Sequence, residues 1–483
     1  MSSLRVVLSV FSVALFACGE SRSSPDGDVS TVLDADAGPG DAGQPDAGLT
    51  DAGAPGEPPS CAPTMAWKPR VFTGATYFVR PGASPGGAGT EEDPWLGLQH
   101  ALDEAPDGAV LFLSEGTFEA APRAYEDPSC GNCSPATQRA VPATVGFVLT
   151  GKSLALVGAG EGRTVLKTNA GYGFLVEDAC EVALSGVTVT GGVRDPDGAA
   201  ADGAVVVRRS RLTLQAVSLA DNSGLLPGGG YPGIAGLMLR EGADVLVMDS
   251  RIERNSWDGV TVFDDGRLRL YGSRVSQGNG VGVGVTWSGR ALLVNNDISA
   301  YWKGIGSFVN AHVEARNNVV HHHLGWGVWV TQNARLDIVN NTIAYNDLLG
   351  VSLSGPNVTG TFVNNLVAFN GLFQRRAYPA NTFGAQAGVR GDKPASSAFS
   401  PAFNVLFGNR TQDWVLADGV TVLSAADLGS NRFVDPRLVS ELDLRLSPGS
   451  PAIDSGDPAI LDLDGTRSDV GAQGGPDAQR RGP

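Results

Sequence analysis

The residues of this 483-residue chain best suited to chemistry gather in polar stretches between short apolar runs. They are Trp257 and Asp258; Tyr301, Trp302 and Lys303; His321, His322, His323 and Trp326; and Tyr345, Asn346 and Asp347. Aromatic faces suit the C–H surfaces of sugars, while carboxylates, lysine and histidine supply hydrogen bonds or proton transfer. Trp257, Tyr301, Trp302, Trp326, Trp329, Tyr345 and Asp347 are therefore the expected sugar contacts. Lys303 with His321 or His323, and Asp258, are the expected proton-transfer groups.

Those residues matter together only if the chain brings them to one surface, and its repeat does so. Between Gly236 and Phe373 each unit reads Gly-Val-x-Val, a polar turn, x-Leu-x-Val, an Asn or Asp pair, then Ile-x-x-Asn, as in "WGVWVTQNARLDIVNNTIAYN". The apolar residue after the pair runs through Ile252, Val275, Ile298, Val320, Ile343 and Val367, in steps of 23, 23, 22, 23 and 24. Earlier anchors are Leu219 and Val189, with steps of 33 and 30, so those units carry Gly- and Pro-rich loops, "SGLLPGGGYPG" and "GGVRDPDGAAAD".

Three short strands per unit predict one turn of a parallel β-solenoid with three sheets and about ten coils, in which equivalent residues stack at about 4.8 Å. Alternation puts Val328 and Val330 inside and Trp329 outside, beside Met238, Thr261 and Ser352 on the same track, with Phe263 on the neighbouring one. The pairs Asn295–Asn296, Asn317–Asn318, Asn340–Asn341 and Asn364–Asn365 fit a tight bend, each amide bonded to its copy one coil away. A leucine-rich solenoid would need a Leu-x-x-Leu-x-Leu phase, which is absent.

Near the start of the chain Arg5 precedes an apolar stretch from Val6 to Ala17, only about 18 Å long as a helix and too short to cross a bilayer core of roughly 30 Å. Residues 1–18 are expected to be an export signal. Leu15-Phe16-Ala17-Cys18 resembles the bacterial lipobox, which implies lipidation at Cys18. Gly19, in place of Asp, implies an outer-membrane destination. Residues 19–66 read as a disordered acidic tether, with Asp-Ala-Gly at 36, 41, 46 and 51. Between Gly19 and Ser60 it holds nine acidic residues against Arg22, a net −8, which is half of the chain's −16. The acidic balance and the lack of a basic strip argue against nucleic acid as a partner.

Residues 67–147 read as an N-terminal cap, a helix with Trp95, Leu98, Ala101, Leu102 and Ala105 on one side followed by strands and a cysteine loop. Residues 148–430 read as the solenoid and 431–483 as a closing segment. Cys61, Cys130, Cys133 and Cys180 are expected to form two disulfides, with three pairings open. The segment "DPWLGLQHALDEAPDGAVLFLSEGTF" and the ending "SPGSPAIDSGDPAILDLDGTRSDVGA" resemble the start and finish of bacterial right-handed parallel β-helix proteins of the pectate-lyase-like superfamily, over roughly residues 71–475.

That resemblance implies a polysaccharide-binding flank on the sheet that opens each unit and the loop before it. It carries over no catalytic set. Asn295-Asn296-Asp297 follows Asp264-Asp265, without the Gly-His-Gly and Arg-Ile-Lys of polygalacturonases, and the Asp-Pro-His-Glu run of mannuronan epimerases is absent. No cofactor is expected, with calcium left open at Asp462, Asp464 and Asp469. Three consecutive histidines cannot share one metal without a sharp turn, and Asp462-x-Asp464-Gly465 with Asp469 forms only half a calcium loop. The sequence thus points to an exported, lipid-anchored protein that binds extracellular or cell-wall polysaccharide, with cleavage left open. The competing reading is a non-enzymatic surface protein, adhesin-like or structural, that contacts other proteins.

Overall fold

The structure is a computed structural model that describes residues 70–478 apart from 131–132, 134, 196–201, 225–232, 354, 356, 373–385 and 392–397. The signal, Cys18, the tether and Cys61 lie outside the described residues, as does most of the two inserted loops. Each repeat folds into three strands, here called opening, middle and closing; in one unit they are Trp326–Val330, Arg335–Val339 and Thr342–Ala344. Stacking assembles a 12-stranded opening sheet, a 13-stranded middle sheet and an 11-stranded closing sheet. Eleven closing strands among the described residues agree with the expected solenoid of about ten coils.

Phasing by the anchors is correct rung by rung. Val189, Leu219, Ile252, Val275, Ile298, Val320, Ile343 and Val367 are successive register partners, and all are buried. The inward row of the opening sheet, Leu237, Val260, Val283, Ile305, Val328 and Val351, packs against them. The glycine that starts each unit has a steric reason. A Cβ at Gly259, Gly282, Gly304, Gly327 or Gly350 would stand 2.4–2.7 Å from the carbonyl oxygen of the equivalent glycine one coil on.

Both ends are covered. The helix Leu98–Glu104 buries Leu98, Ala101 and Leu102 against the first coil, and Trp95 stacks on Tyr77 at 4.3 Å. Sheet strands already occur within 67–147, at Thr76–Arg80, Val110–Leu113 and Gly116–Glu119, and the strand Val141–Thr150 runs across residue 147. At the far end Trp414, Leu423 and Leu428 close the core.

Each Asn pair divides its labour. The second residue is inward and builds the expected ladder: Asn296 to Asn318 2.9 Å, Asn318 to Asn341 3.0 Å and Asn341 to Asn365 3.0 Å, continued by Asn404 and Asn431. The first takes the left-handed bend, at φ 60°, 57°, 57° and 56° for Asn295, Asn317, Asn340 and Asn364. Its amide holds the closing segment, which folds back along the solenoid. Asn364 accepts the Asp457 amide at 2.6 Å, and Asn340, Asn317 and Asn295 donate to the carbonyls of Asp469, Ala472 and Asp477 at 2.7, 3.1 and 2.7 Å.

Cys130 and Cys133 are bonded to each other, so this Cys-x-x-Cys is a closed three-residue link, and Cys180 is disulfide-bonded as well.

Candidate functional site

The outward row of the opening sheet runs Met238, Thr261, Gly284, Gly306, Trp329, Ser352, in continuous register. Beside it runs Val281, Lys303, Trp326, Leu349. Stacking therefore brings Lys303 next to two tryptophans from the following coil. The Lys303 ammonium stands 4.4 Å from the Trp329 ring centre and 5.7 Å from those of Trp326 and Phe308. Trp326 and Trp329 are nearly parallel with centres 5.2 Å apart, and Trp302 meets Trp326 edge-on at 5.3 Å. Gly306 makes room for Phe308: a Cβ there would lie 2.1 Å from the Phe308 ring, which reaches Trp329 at 5.7 Å.

Asp258 approaches the same cluster from below. It is 9% exposed, and its carboxylate accepts the Val281 amide at 2.6 Å and the Thr261 hydroxyl at 2.9 Å. Burial pushes this carboxyl up to about 6 against the lowering effect of those two donors and of the Lys303 charge. A carboxyl whose pKa rises from 3.8 to about 6 on folding favours the folded state below pH 3.8 and loses that contribution as pH rises through 6. Asp258→Asn is therefore expected to be the more stable protein at pH 8, by about 2–3 kcal/mol, and to lose the decline in melting temperature between pH 4 and 7. Parallel pH profiles for wild type and variant would refute the assignment.

Three expected site residues are interior instead of on the surface. Tyr301, His323 and Asp347 are each 0% exposed and cannot meet a surface ligand. The closing strands are followed by a left-handed residue, Asp221, Arg254, Gln277, Ala300, His322, Tyr345 or Phe369, at φ 54–64°, and the residue after it turns inward. This places Asn222, Asn255, Gly278, Tyr301, His323, Asn346, Asn370 and Asn409 in one column, three positions after the anchor.

The column is a second amide ladder, Asn222 to Asn255 at 2.9 Å, then Asn346 to Asn370 at 2.8 Å and Asn370 to Asn409 at 2.9 Å. His323 joins it, with its backbone N–H on Asn346, its Nε2 on the Ile298 carbonyl at 3.0 Å and its Nδ1 receiving the Tyr301 amide at 3.2 Å. Burial first, and then the nearby His321, bring its pKa down to about 3, so it stays neutral. Tyr301 interrupts the ladder because Gly278 leaves space for its ring: a Cβ there would lie 2.2 Å from Tyr301 Cε1. Burial raises the phenol pKa, and its hydroxyl finds no partner among the described residues. Asp347 donates its backbone N–H to the His323 carbonyl at 2.9 Å.

His321, His322 and Tyr345 turn to the closing-sheet side. There His322 stacks on Tyr345 at 5.5 Å, which stacks on Phe369 at 5.2 Å, away from the tryptophans. Lys303 consequently has neither His321 nor His323 as a partner for proton transfer. Trp257 stays partly exposed in the loop before its opening strand. Phe308, absent from the sequence expectation, joins the cluster. A glycine at an outward position two residues before an aromatic was the signal for it.

The same outer face is roofed toward the N-terminus by the antiparallel pairing of Arg123–Asp127 with residues 141–145 of the strand Val141–Thr150, which continues into the opening sheet beside Tyr172–Glu177. Beneath the roof, Arg208 and Arg240 are register partners, 1% and 0% exposed, and both reach the fully buried Asp127. Glu177 and Glu241 complete the network, at 3.0 Å and 2.9 Å from Arg208. Its legible trace is the charged pair ending three successive opening strands: Glu177-Asp178, Arg208-Arg209 and Arg240-Glu241.

The calcium candidates do not form a cage. Asp462 accepts the Asp469 amide and Asp464 the Thr466 amide within the closing turn. Among the described residues no group of three or more His, Cys, Asp or Glu is placed to hold a metal.

The fold and its register define a right-handed parallel β-helix protein, and the family described as "Right handed beta helix region" matches residues 161–298 and 203–374. No curated protein matches the chain at a significant level. Among solved structures, pectate lyase Pel9A is similar at 16% identity with a TM-score of 0.48, covering 83% of this chain and 96% of its own. The A-module of mannuronan C-5 epimerase AlgE6 from Azotobacter vinelandii is 16% identical with a TM-score of 0.31, covering 70% and 94%. An alginate lyase from Paenibacillus sp. str. FPU-7 is 13% identical with a TM-score of 0.31, covering 55% and 90%.

Proposed function

We propose that the outer face of the opening sheet, from Thr261 to Ser352, binds a polysaccharide, with the partly exposed Trp329 and Trp302 as platforms, Trp326 packed behind them at 8% exposure, and Lys303 as the polar contact. The observation that carries this reading is Lys303 held 4.4 Å over Trp329, itself parallel to Trp326. An apolar ring face beside a single cation matches a sugar, whose C–H surface stacks while its oxygens take hydrogen bonds. Binding, rather than cleavage, is the activity this arrangement supports best, because no histidine stands beside Lys303 and Asp258 is occupied by the Val281 amide and Thr261. In this reading the protein is exported and held by a lipid on Cys18, and the tether lets the solenoid reach extracellular or cell-wall glycan.

The test is retention of the protein on a panel of uronic-acid and neutral polysaccharides, with reducing ends and unsaturated products followed in parallel. Trp329→Ala removes the stacking face and the seat of Lys303, together about 1–2 kcal/mol, and should weaken retention roughly tenfold. Retention of wild type and variant to the same degree, or no retention on any glycan, would overturn the proposal. Released products would add a reaction that the present geometry does not supply.

A further inference from the structure

Away from that face, two histidines neighbouring in sequence point at each other: His321 Nδ1 and His322 Nδ1 are 2.6 Å apart. Neighbours in a strand normally diverge. Here His321 ends the closing strand Val319–His321, and His322 takes φ 56°, the bend that turns its ring back. The rings lie 4.9 Å apart and nearly perpendicular.

The far nitrogen of each ring has an acidic partner, Asp297 Oδ1 for His321 Nε2 and Glu441 Oε1 for His322 Nε2, both at 3.3 Å. An ionised carboxylate only accepts, so it favours the tautomer with hydrogen on Nε2, in which Nδ1 offers a lone pair. Two lone pairs at 2.6 Å repel unless a cation lies between them. A carboxylate behind each imidazole is also the arrangement that fixes the tautomer and raises the basicity of a metal-ligating histidine.

We propose that His321 and His322 bind one divalent transition-metal ion through their Nδ1 atoms, with Asp297 and Glu441 orienting the rings. Imidazole nitrogens select zinc or copper over magnesium and calcium, which prefer oxygen. Metal–nitrogen bonds of about 2.0–2.1 Å in a tetrahedral site require the two nitrogens to part by roughly 0.7 Å. The side chains have room for this, being 20% and 18% exposed. With two protein ligands, the remaining positions fall to water. Because Glu441 belongs to the closing segment, the ion also ties that segment to the solenoid.

The test uses the whole protein without a histidine tag, stripped by chelator and titrated separately with Zn²⁺, Cu²⁺, Ca²⁺ and Mg²⁺ in a calorimeter. One Zn²⁺ or Cu²⁺ per chain is expected, with two nitrogen ligands in the electron paramagnetic resonance of the copper form and a rise in melting temperature with zinc. His321→Gln and His322→Gln should each weaken binding by more than the about tenfold expected for Asp297→Asn. Zinc and copper binding no tighter than calcium, or binding unchanged in the histidine variants, would overturn the site. A copper spectrum without nitrogen ligands would do so even if a variant failed to fold. Failure to bind metal, with a single proton shared between the rings by nitrogen NMR, would assign the cation as a proton.

Discussion

Arg240→Ala should lower stability by about 3–5 kcal/mol and lift the roof off the N-terminal half of the opening sheet. Removing one of the two cations that face a buried carboxylate leaves its charge under-compensated where water cannot reach it, and that penalty exceeds the net worth of the pair. Asp127 is 0% exposed and would keep only Arg208, at 3.1 Å, as its cation. The Ser129 carbonyl, which receives Arg240 at 2.8 Å beside the Cys130–Cys133 link, would lose its donor.

The paired strand Arg123–Asp127 rests on this network and on an apolar patch of Tyr172, Leu175, Val206 and Met238. Loosening it should expose the patch. Urea unfolding together with hydrogen exchange over Val141–Thr150 would measure both effects. A midpoint shift equivalent to less than about 1 kcal/mol would mean that Arg208 alone neutralises Asp127.

The second large effect belongs to the inner ladder. Asn318→Ala is expected to cost about 3–4 kcal/mol and to act locally, on the coils around it. The Asn318 side chain donates to the Leu293 carbonyl at 2.9 Å and to Asn341 at 3.0 Å, and it receives the Asn296 amide N–H at 3.0 Å and the Asn296 side chain at 2.9 Å. Alanine would remove all four bonds and leave buried donors and acceptors unmet on both neighbours. Each bond is worth about 1 kcal/mol and each orphan costs more.

A solenoid's stability is a sum over coils and their interfaces, so the loss should appear as faster exchange in strands adjoining Asn318 before it appears as global unfolding. Exchange unchanged in Arg290–Val294 and Arg335–Val339 would refute the ladder's energetic role.

The contrast between what could and could not be read from the chain is sharpest at the corners. Every anchor from Val189 to Val367 was placed in its correct row from spacing alone, as were the outward position of Trp329 and the inward positions of Val328 and Val330. Strand alternation has a strict period of two, and in-register stacking gives each coil the same surroundings, so the pattern repeats wherever the environment does.

Corners obey no such alternation. A single residue at φ near +57° reverses the direction of the next side chain, which is why Tyr301 and His323 point into the core and His322 toward His321. The column three residues after each anchor is mostly Asn, and Tyr301 and His323 stand in it, a signal the reading of Tyr301 and His323 as surface residues leaves unused.

The sequence alone thus determined a three-sheet parallel solenoid, its register and the asparagine ladder, because each follows from a local pattern repeated every 22–24 residues, and its helical cap, because one amphipathic segment precedes the repeats. Tertiary structure decided which of the aromatic and ionisable residues meet. Lys303 joins Trp326 and Trp329 across a coil boundary, Asp127 reaches Arg240 over 113 residues, and Asn295 holds the carbonyl of Asp477. Those contacts depend on side-chain direction at bends and on segments folding back over the coils, and neither is periodic.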